Sequence, residues 1–268
     1  MDITLKKLRY AYPTGDDILK GINLSISGTE PVAIIGQNGA GKTTIVKHFN
    51  GILRPKSGEV LIEGESIEQK TTAQWAKKVG YVFQNPDDQL FLESVRKEFT
   101  FGPKQIGMPQ QEIEERLNWV AELVGLSDKL EVHPFDLNAT EKKFCTIGSI
   151  IMMNTSIVIF DEPTCGQDVN GNLRLRRIIQ KLRDKGVLCI AISHDMKFVA
   201  DNFERIIVLC QGEIILDGSA DEVFSEVPTL NKSFVTPPPI TRVGQGAGFK
   251  KTVFTTEAFM KVFEEERR

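Results

Sequence analysis

Residues 36–43 read Gly-Gln-Asn-Gly-Ala-Gly-Lys-Thr, which fits the spacing GxxxxGK[ST] and follows directly on the apolar run Val32-Ala33-Ile34-Ile35. Gly36, Gly39 and Gly41 let such a loop wrap so that successive N–H groups, including that of Asn38, point inward at a phosphate. A helix expected from Thr44 adds the partial positive charge of its N-terminus. At this spacing Lys42 reaches β- and γ-phosphates, and Thr43 is placed to ligate Mg²⁺. A second acidic element, Ile157-Val158-Ile159-Phe160-Asp161-Glu162, ends a buried-type strand on two carboxylates. Asp161 is expected to bind Mg²⁺ through water, and Glu162 to act as general base or to orient the attacking water. His194 follows an apolar strand ending at Ser193, at the carboxyl edge where α/β sheets bind ligands. Gln84, after the run 79–83, is an amide able to touch the metal or the attacking water.

The surrounding pattern supplies elements to hold these groups. Short β-branched runs from Ile3, Ile22, Pro31, Glu59 and Val79 are separated by turn residues, so strands dominate the first third, with little room for helices. From Pro109 the period changes. Ile113, Leu117, Val120 and Val124 repeat at helical spacing, and Gly125 supplies a stop. The apolar strands at 156–160 and 187–193 flank a stretch, 172–185, that carries Leu175, Ile178, Ile179 and Leu182 on one face. Strand, helix, strand of this kind marks an α/β chain with a parallel sheet covered by helices. Gln211-Gly212 reads as a two-residue hairpin turn. Beyond Phe224 the pattern weakens, Pro237-Pro238-Pro239 punctuates a tail, and one amphipathic stretch remains at 256–265.

The 268 residues carry 33 Lys plus Arg against 36 Asp plus Glu, a net charge of −3, which argues against disorder and against a role in coating nucleic acid. No run of about 18 apolar residues occurs and the start MDITLKKLRY lacks a signal-peptide core, so the chain reads as made and kept in the cytosol. Cys145, Cys165, Cys189 and Cys210 show no metal or CxxC spacing and read as buried free thiols.

Taken in order, these pieces resemble the ATPases of ABC transporters. The resemblance runs from Ile3 to about Val223: Tyr12 matches the aromatic that stacks on adenine, 36–43 the Walker A loop, and Gln84 the Q-loop. Asp161 and Glu162 match Walker B, Asp168 the D-loop acid and His194 the switch histidine. Within that family, VGYVFQNPDDQLF from Val79, FGP at Phe101 and GMPQQEIEERLNWVAELVGL are similar to ATPases of energy-coupling-factor (ECF) transporters of the cobalt- and vitamin-importing type, as are PPPITRVGQGAG and TTEAFM in the tail.

The resemblance implies a P-loop NTPase fold of the ABC type: an antiparallel β subdomain, a RecA-like core, a helical signature subdomain at about 86–153, and a small C-terminal extension. The ATP-binding domain would span 1–223 and the extension, with a dimerising role, 224–268. It further implies ATP and Mg²⁺ as ligands, with Lys42, Thr43, Thr44 and Asp161 in the nucleotide site and Thr43, Gln84 and Asp161 at the metal. A second ATPase subunit, identical or not, would pair with this one beneath a transmembrane coupling subunit and a substrate-binding membrane subunit, at the cytoplasmic face of the membrane. Residues 84–92 would border the groove that receives the coupling subunit, unless Leu90 and Phe91 simply pack the subdomain.

One motif departs from the family. Where the signature reads LSGGQ, this chain has Leu137-Asn138-Ala139-Thr140-Glu141. Asn138 can still cap a helix, but Ala139 and Thr140 add bulk where backbone approaches the partner's nucleotide, and Glu141 is expected to set an anion near the triphosphate. The D-loop carries Gln167 where leucine is usual. An eroded donated loop beside an intact Walker A, Glu162 and His194 favours a heterodimer with one competent site. The alternatives are a homodimer with two slow sites, or a nucleotide-gated ABC protein outside transport. A nucleic-acid role is disfavoured by the single cassette, the lack of a heptad run and the charge of −3.

Overall fold

The computed structural model describes residues 1–13 and 15–266. An antiparallel sheet is formed by β1 (Asp2–Ala11), β2 (Asp17–Ser27), β4 (Ser57–Ile62) and β5 (Glu65–Ser66), in the order β2-β1-β4-β5. A second sheet is formed by β3 (Val32–Ile35), β6 (Val79–Val82), β7 (Ile157–Asp161), β8 (Leu188–Ile192), β9 (Arg205–Cys210) and β10 (Glu213–Gly218), in the order β10-β9-β3-β8-β7-β6. Five of its strands are parallel, and β10 returns antiparallel to β9. The hairpin between them turns on Gln211 and Gly212 at φ 50° and 85°, the paired positive angles of a type I′ turn.

The parallel strands read as continuous apolar runs because both of their faces are covered. Val32 and Ile34 of β3, Ile157 and Ile159 of β7, and Leu188, Ile190 and Ile192 of β8 face the antiparallel sheet and α1 (Lys42–Phe49). Their alternates Ala33, Ile35, Val158, Phe160, Cys189 and Ala191 face a second core built by helices. Burial on both sides is the condition under which alternation disappears from a strand's sequence.

The expected middle helix is α4 (Gln110–Val124), closed by Gly125 at φ 70°. It packs with α3 (Val95–Gln105) and α5 (Ala139–Met152) into a helical unit around Phe99, Leu117 and Phe144. The stretch expected between the two apolar strands is α6 (Val169–Asp184), which starts three residues earlier than its apolar spacing indicated because Asp168 caps it. A four-residue helix, α2 (Thr72–Trp75), stands in the strand-rich first third, held by a capping box of Thr71 and Gln74. The chain continues through α7 (Met196–Asn202), α8 (Ala220–Ser225) and α9 (Val227–Lys232). The tail is more ordered than its sequence pattern suggested, with α10 (Pro239–Gly246) and α11 (Thr256–Glu266). Pro239 opens α10 at its first turn, where a missing N–H removes no intrahelical bond, so the proline run starts a helix. Among the described residues no helix is long and apolar enough to cross a membrane.

The cysteines correct one expectation. Cys145 and Cys189 are buried, but Cys165 is exposed and Cys210 half-buried, and all four are free. Cys165 lies in the loop between β7 and α6, and loops run over the surface because their backbone groups need water or other partners.

Candidate functional site

The carboxyl ends of β3, β7 and β8 meet at one edge of the six-stranded sheet. Gly36 leaves β3 at φ 144°, and a Cβ there would stand 2.2 Å from the carbonyl oxygen of Leu209 in β9. Gly41 begins α1 at φ 103°, with a Cβ position 2.9 Å from Leu19 Cδ2. Only glycine fits either place without moving backbone or core. Lys42 is 7% exposed, and its Nζ donates to the carbonyls of Gly36 (2.8 Å) and Gln37 (2.9 Å). Burial pushes its pKa down, while the charges of Glu162 and Asp161 push back. The ammonium thus sits inside the loop it must serve, facing the two Walker-type acids.

Asp161 ends β7 with both carboxylate oxygens engaged. Tyr81 Oη donates to Oδ2 at 2.6 Å, and Thr43 Oγ1 donates to Oδ1 at 3.4 Å. Tyr81 was not legible as a site residue. It lies one strand away on β6, where it is paired with Ile159, and burial with the adjacent carboxylate drives its phenol pKa upward. Glu162 follows at φ 50°, a left-handed conformation that is rare for a residue with a Cβ. Its N–H donates to Ile192 O of β8 at 3.0 Å, which fixes the turn. Its carboxylate accepts from His194 N (3.3 Å) and lies 3.1 Å from His194 Nε2. Burial raises the Glu162 pKa to about 7, opposed chiefly by Lys42. Burial and the Lys42 charge lower that of His194, so a neutral imidazole faces a carboxylate poised near neutrality.

Tyr12, Asn38, Gly39, Gly41, Lys42, Thr43, Thr44, Gln84, Glu162 and His194, nearly the whole expected set, line one cleft of about 680 Å³. Tyr12 Oη is 3.4 Å from Thr44 Oγ1 and its ring packs edge-on against Tyr10 at 5.1 Å, leaving 41% of the residue exposed at the cleft wall. Its aromatic face can stack on a base. Thr164, Cys165 and Gln167, which the sequence marked only as part of the D-loop stretch, line the same cleft.

The structure does not bring the signature residues to this cleft. Asn138, Ala139, Thr140 and Glu141 line a separate recess with Asp168 and Arg174. Asn138 caps α5 as expected, its Oδ1 accepting from Glu141 N at 2.9 Å. Glu141, expected to set an anion near the partner's triphosphate, lines that recess and has two partners within its own chain. Its carboxylate turns back to accept from Asn138 N (3.1 Å) and to pair with Lys129 Nζ, and Lys129 first, then the capping bond, lower its pKa. Asp168 is likewise engaged, capping α6 through Gly171 N at 2.7 Å.

Hydroxyl, carboxylate and amide oxygens from Thr43, Asp161 and Gln84 are hard donors of the kind Mg²⁺ takes. No cluster of three or more His, Cys, Asp or Glu able to hold a metal occurs among the described residues.

A glycine-lined phosphate loop, a strand-end acid pair and a histidine on the next parallel strand define a nucleotide-binding cassette. A family model described as ABC transporter matches residues 19–165. The energy-coupling factor transporter ATP-binding protein EcfA of Methanocaldococcus jannaschii is 37% identical over 90% of this chain and 87% of its own. EcfA of Methanothermobacter thermautotrophicus is 40% identical over 86% of this chain and 75% of its own. Among solved structures, CbiO1 from Clostridium perfringens, part of the ABC transporter complex CbiONQ, superposes with a TM-score of 0.77 at 30% identity. That match covers 92% of this chain and 98% of CbiO1. The chain belongs to the ABC-transporter ATP-binding family, in its energy-coupling-factor branch, and is an ATP hydrolase coupled to transport.

Proposed function

We propose that this chain powers an ECF-type importer of a vitamin or transition-metal ion from the cytoplasmic face of the membrane, paired with a second ATPase whose signature is intact. The observation that carries the reading is the contrast between the two sites. The cleft at Lys42 holds its Glu162–His194 pair at 3.1 Å, whereas the recess this chain would offer its partner lacks both signature glycines. In the cleft, the loop amides and Lys42 hold the β- and γ-phosphates and Tyr12 stacks on adenine. Glu162 takes the proton of the attacking water, while His194 holds the carboxylate in place. Thr43, Asp161 and Gln84 would hold Mg²⁺, which would neutralise charge on the phosphates. Residues 1–223 form the cassette, and 224–268 an extension that contributes to pairing.

Ala139 and Thr140 each carry a Cβ on the first turn of α5, where the family presents glycine. A lost charge-assisted contact weakens a site by roughly 1.5–3 kcal/mol, about tenfold or more in rate. With the competent site silenced by Glu162→Gln, restoring the segment (Asn138→Ser, Ala139→Gly, Thr140→Gly, Glu141→Gln) is expected to raise the residual ATP turnover of the complex by about tenfold or more. Unchanged residual turnover would remove the basis for the asymmetry.

The membrane partner has a place to dock. Leu90 is buried at 4%, but Phe91 is 63% exposed and packs edge-on against Phe101, with ring centroids 5.2 Å apart. Both line an apolar groove with Ile52, Phe83 and Met153. Phe91→Ala is expected to weaken capture of the coupling subunit about 30-fold, from an aromatic anchor worth ~2 kcal/mol, with ATP binding by the isolated chain unchanged. Equal recovery of membrane subunits with wild type and Phe91→Ala would place the interface elsewhere. The primary test is purification of a tagged chain from membranes. Recovery of hydrophobic membrane subunits and a second ATPase supports the reading, and recovery of RNA or DNA instead overturns it.

A further inference from the structure

Lys143 lies on the second turn of α5 and is only 3% exposed, although lysine is among the residues least often buried. Its ammonium donates to the carbonyls of Phe83 (3.2 Å) and Gln84, the two residues at which the chain leaves β6 for the groove loop. Two further contacts join the groove loop to the same helix, one from Lys142 and one from Gln89 of the loop itself. Lys142 Nζ pairs with Asp87 Oδ1 at 3.0 Å. Gln89 accepts from Phe83 N (3.0 Å) and donates to Thr146 O and Ser149 Oγ (3.3 Å each). The exposed pair at Asp87 contributes little. Lys143 is different: its own ammonium is buried, and without its N–H donors two partly buried carbonyls lose a charge-assisted partner.

The tie joins three working parts. Four residues before Lys143, α5 begins at Ala139 in the eroded signature segment. Its ammonium holds the backbone of Gln84, a residue lining the nucleotide cleft, and the loop continues to Phe91 in the apolar groove. A recess lined by Gln84, Asp87, Ala139, Lys143 and Cys165 shows these parts meeting.

We propose that Lys143 is a positioning residue that makes the groove loop and the signature helix one moving body, so that movement of the membrane partner reaches Gln84 and the ATPase interface together. This rests on the transporter reading above. The tie acts on turnover, because Walker A and the base-stacking Tyr12 lie outside it.

The test compares wild type, Lys143→Met and Lys143→Gln as full-length chains, each alone and in the detergent-purified complex with its membrane subunits. Mg·ATP turnover is measured together with hydrogen exchange of amides 84–90. Since misplacement by ~1 Å costs up to about 10²-fold, Lys143→Met is expected to lose about tenfold or more of the stimulation that the membrane subunits confer. Its KM for ATP stays within about twofold of wild type, and amides 84–90 exchange faster while α5 stays protected. Lys143→Gln, retaining a donor, falls between. Stimulation at the wild-type level in both variants, or a loss accompanied by a raised KM and exchange throughout α5, overturns the proposal alone. A wild-type complex without any stimulation overturns the transporter reading, and this inference with it.

Discussion

Glu162→Gln is expected to lower kcat of the assembled complex by about 10²–10⁴-fold, the range of a positioned general base, while ATP still binds. The amide keeps the shape of the side chain and can still lie against His194, so the loss isolates proton transfer from positioning. In wild type the base is active only when ionised, and burial places its pKa at about 7, so turnover rises with pH through neutrality. The same shift makes a stability prediction of definite sign. The folded-state pKa lies above the ordinary value of 4.5, so the protonated acid is the form the fold prefers. The penalty for the buried charge is absent below about pH 4.5, grows as pH rises and is complete above about 7. Glutamine carries no such penalty. In nucleotide-free protein, the gap in thermal midpoint between Glu162→Gln and wild type is therefore expected to widen from pH 5 to pH 8. A gap independent of pH, or turnover close to wild type, would contradict the assignment of the base.

Lys42→Met is the second large effect. Among the described residues the ammonium is the one cation whose nitrogen is bonded to the phosphate loop itself, through Gly36 and Gln37, and both Asp161 and Glu162 act on it. Two charge-assisted contacts to phosphate at roughly 1.5 kcal/mol each give about 3 kcal/mol, or somewhat over a hundredfold in ATP affinity. Titration calorimetry with Mg·ATP reads this directly. Affinity within a few-fold of wild type would mean that the loop amides carry the binding and Lys42 only closes the loop. Removing the ammonium also releases the Glu162 pKa to rise further, because Lys42 is the largest influence holding it down. Any residual turnover is therefore expected to shift its pH profile upward.

The site was legible to different depths for different residues. The phosphate loop could be read because its chemistry is local: eight consecutive residues, with Gly36 and Gly41 at backbone angles that side chains disfavour. The acid pair and His194 were readable because apolar runs announce parallel strands, and ligands gather at their carboxyl ends. Asn138 was readable as a cap by its residue type and place. The same reasoning stopped short at Glu141. Its distance from a nucleotide was inferred from position, whereas its direction was decided by Lys129, twelve residues earlier in a different turn. It also could not separate Leu90 from Phe91, since two adjacent apolar residues differ only in which side of the loop meets the core.

The sequence by itself determined the cassette, its ATP chemistry and the erosion of its signature, because each depends on residue type at short spacing. Tertiary structure alone decided that Tyr81 holds Asp161 across 80 residues, that Lys143 ties α5 to the Q-loop, and that Glu141 turns back to Lys129. Those contacts depend on strand order and on how helices are set against the sheet. A hydrogen bond of about 3 Å between groups distant in the chain leaves no spacing for sequence reading to find.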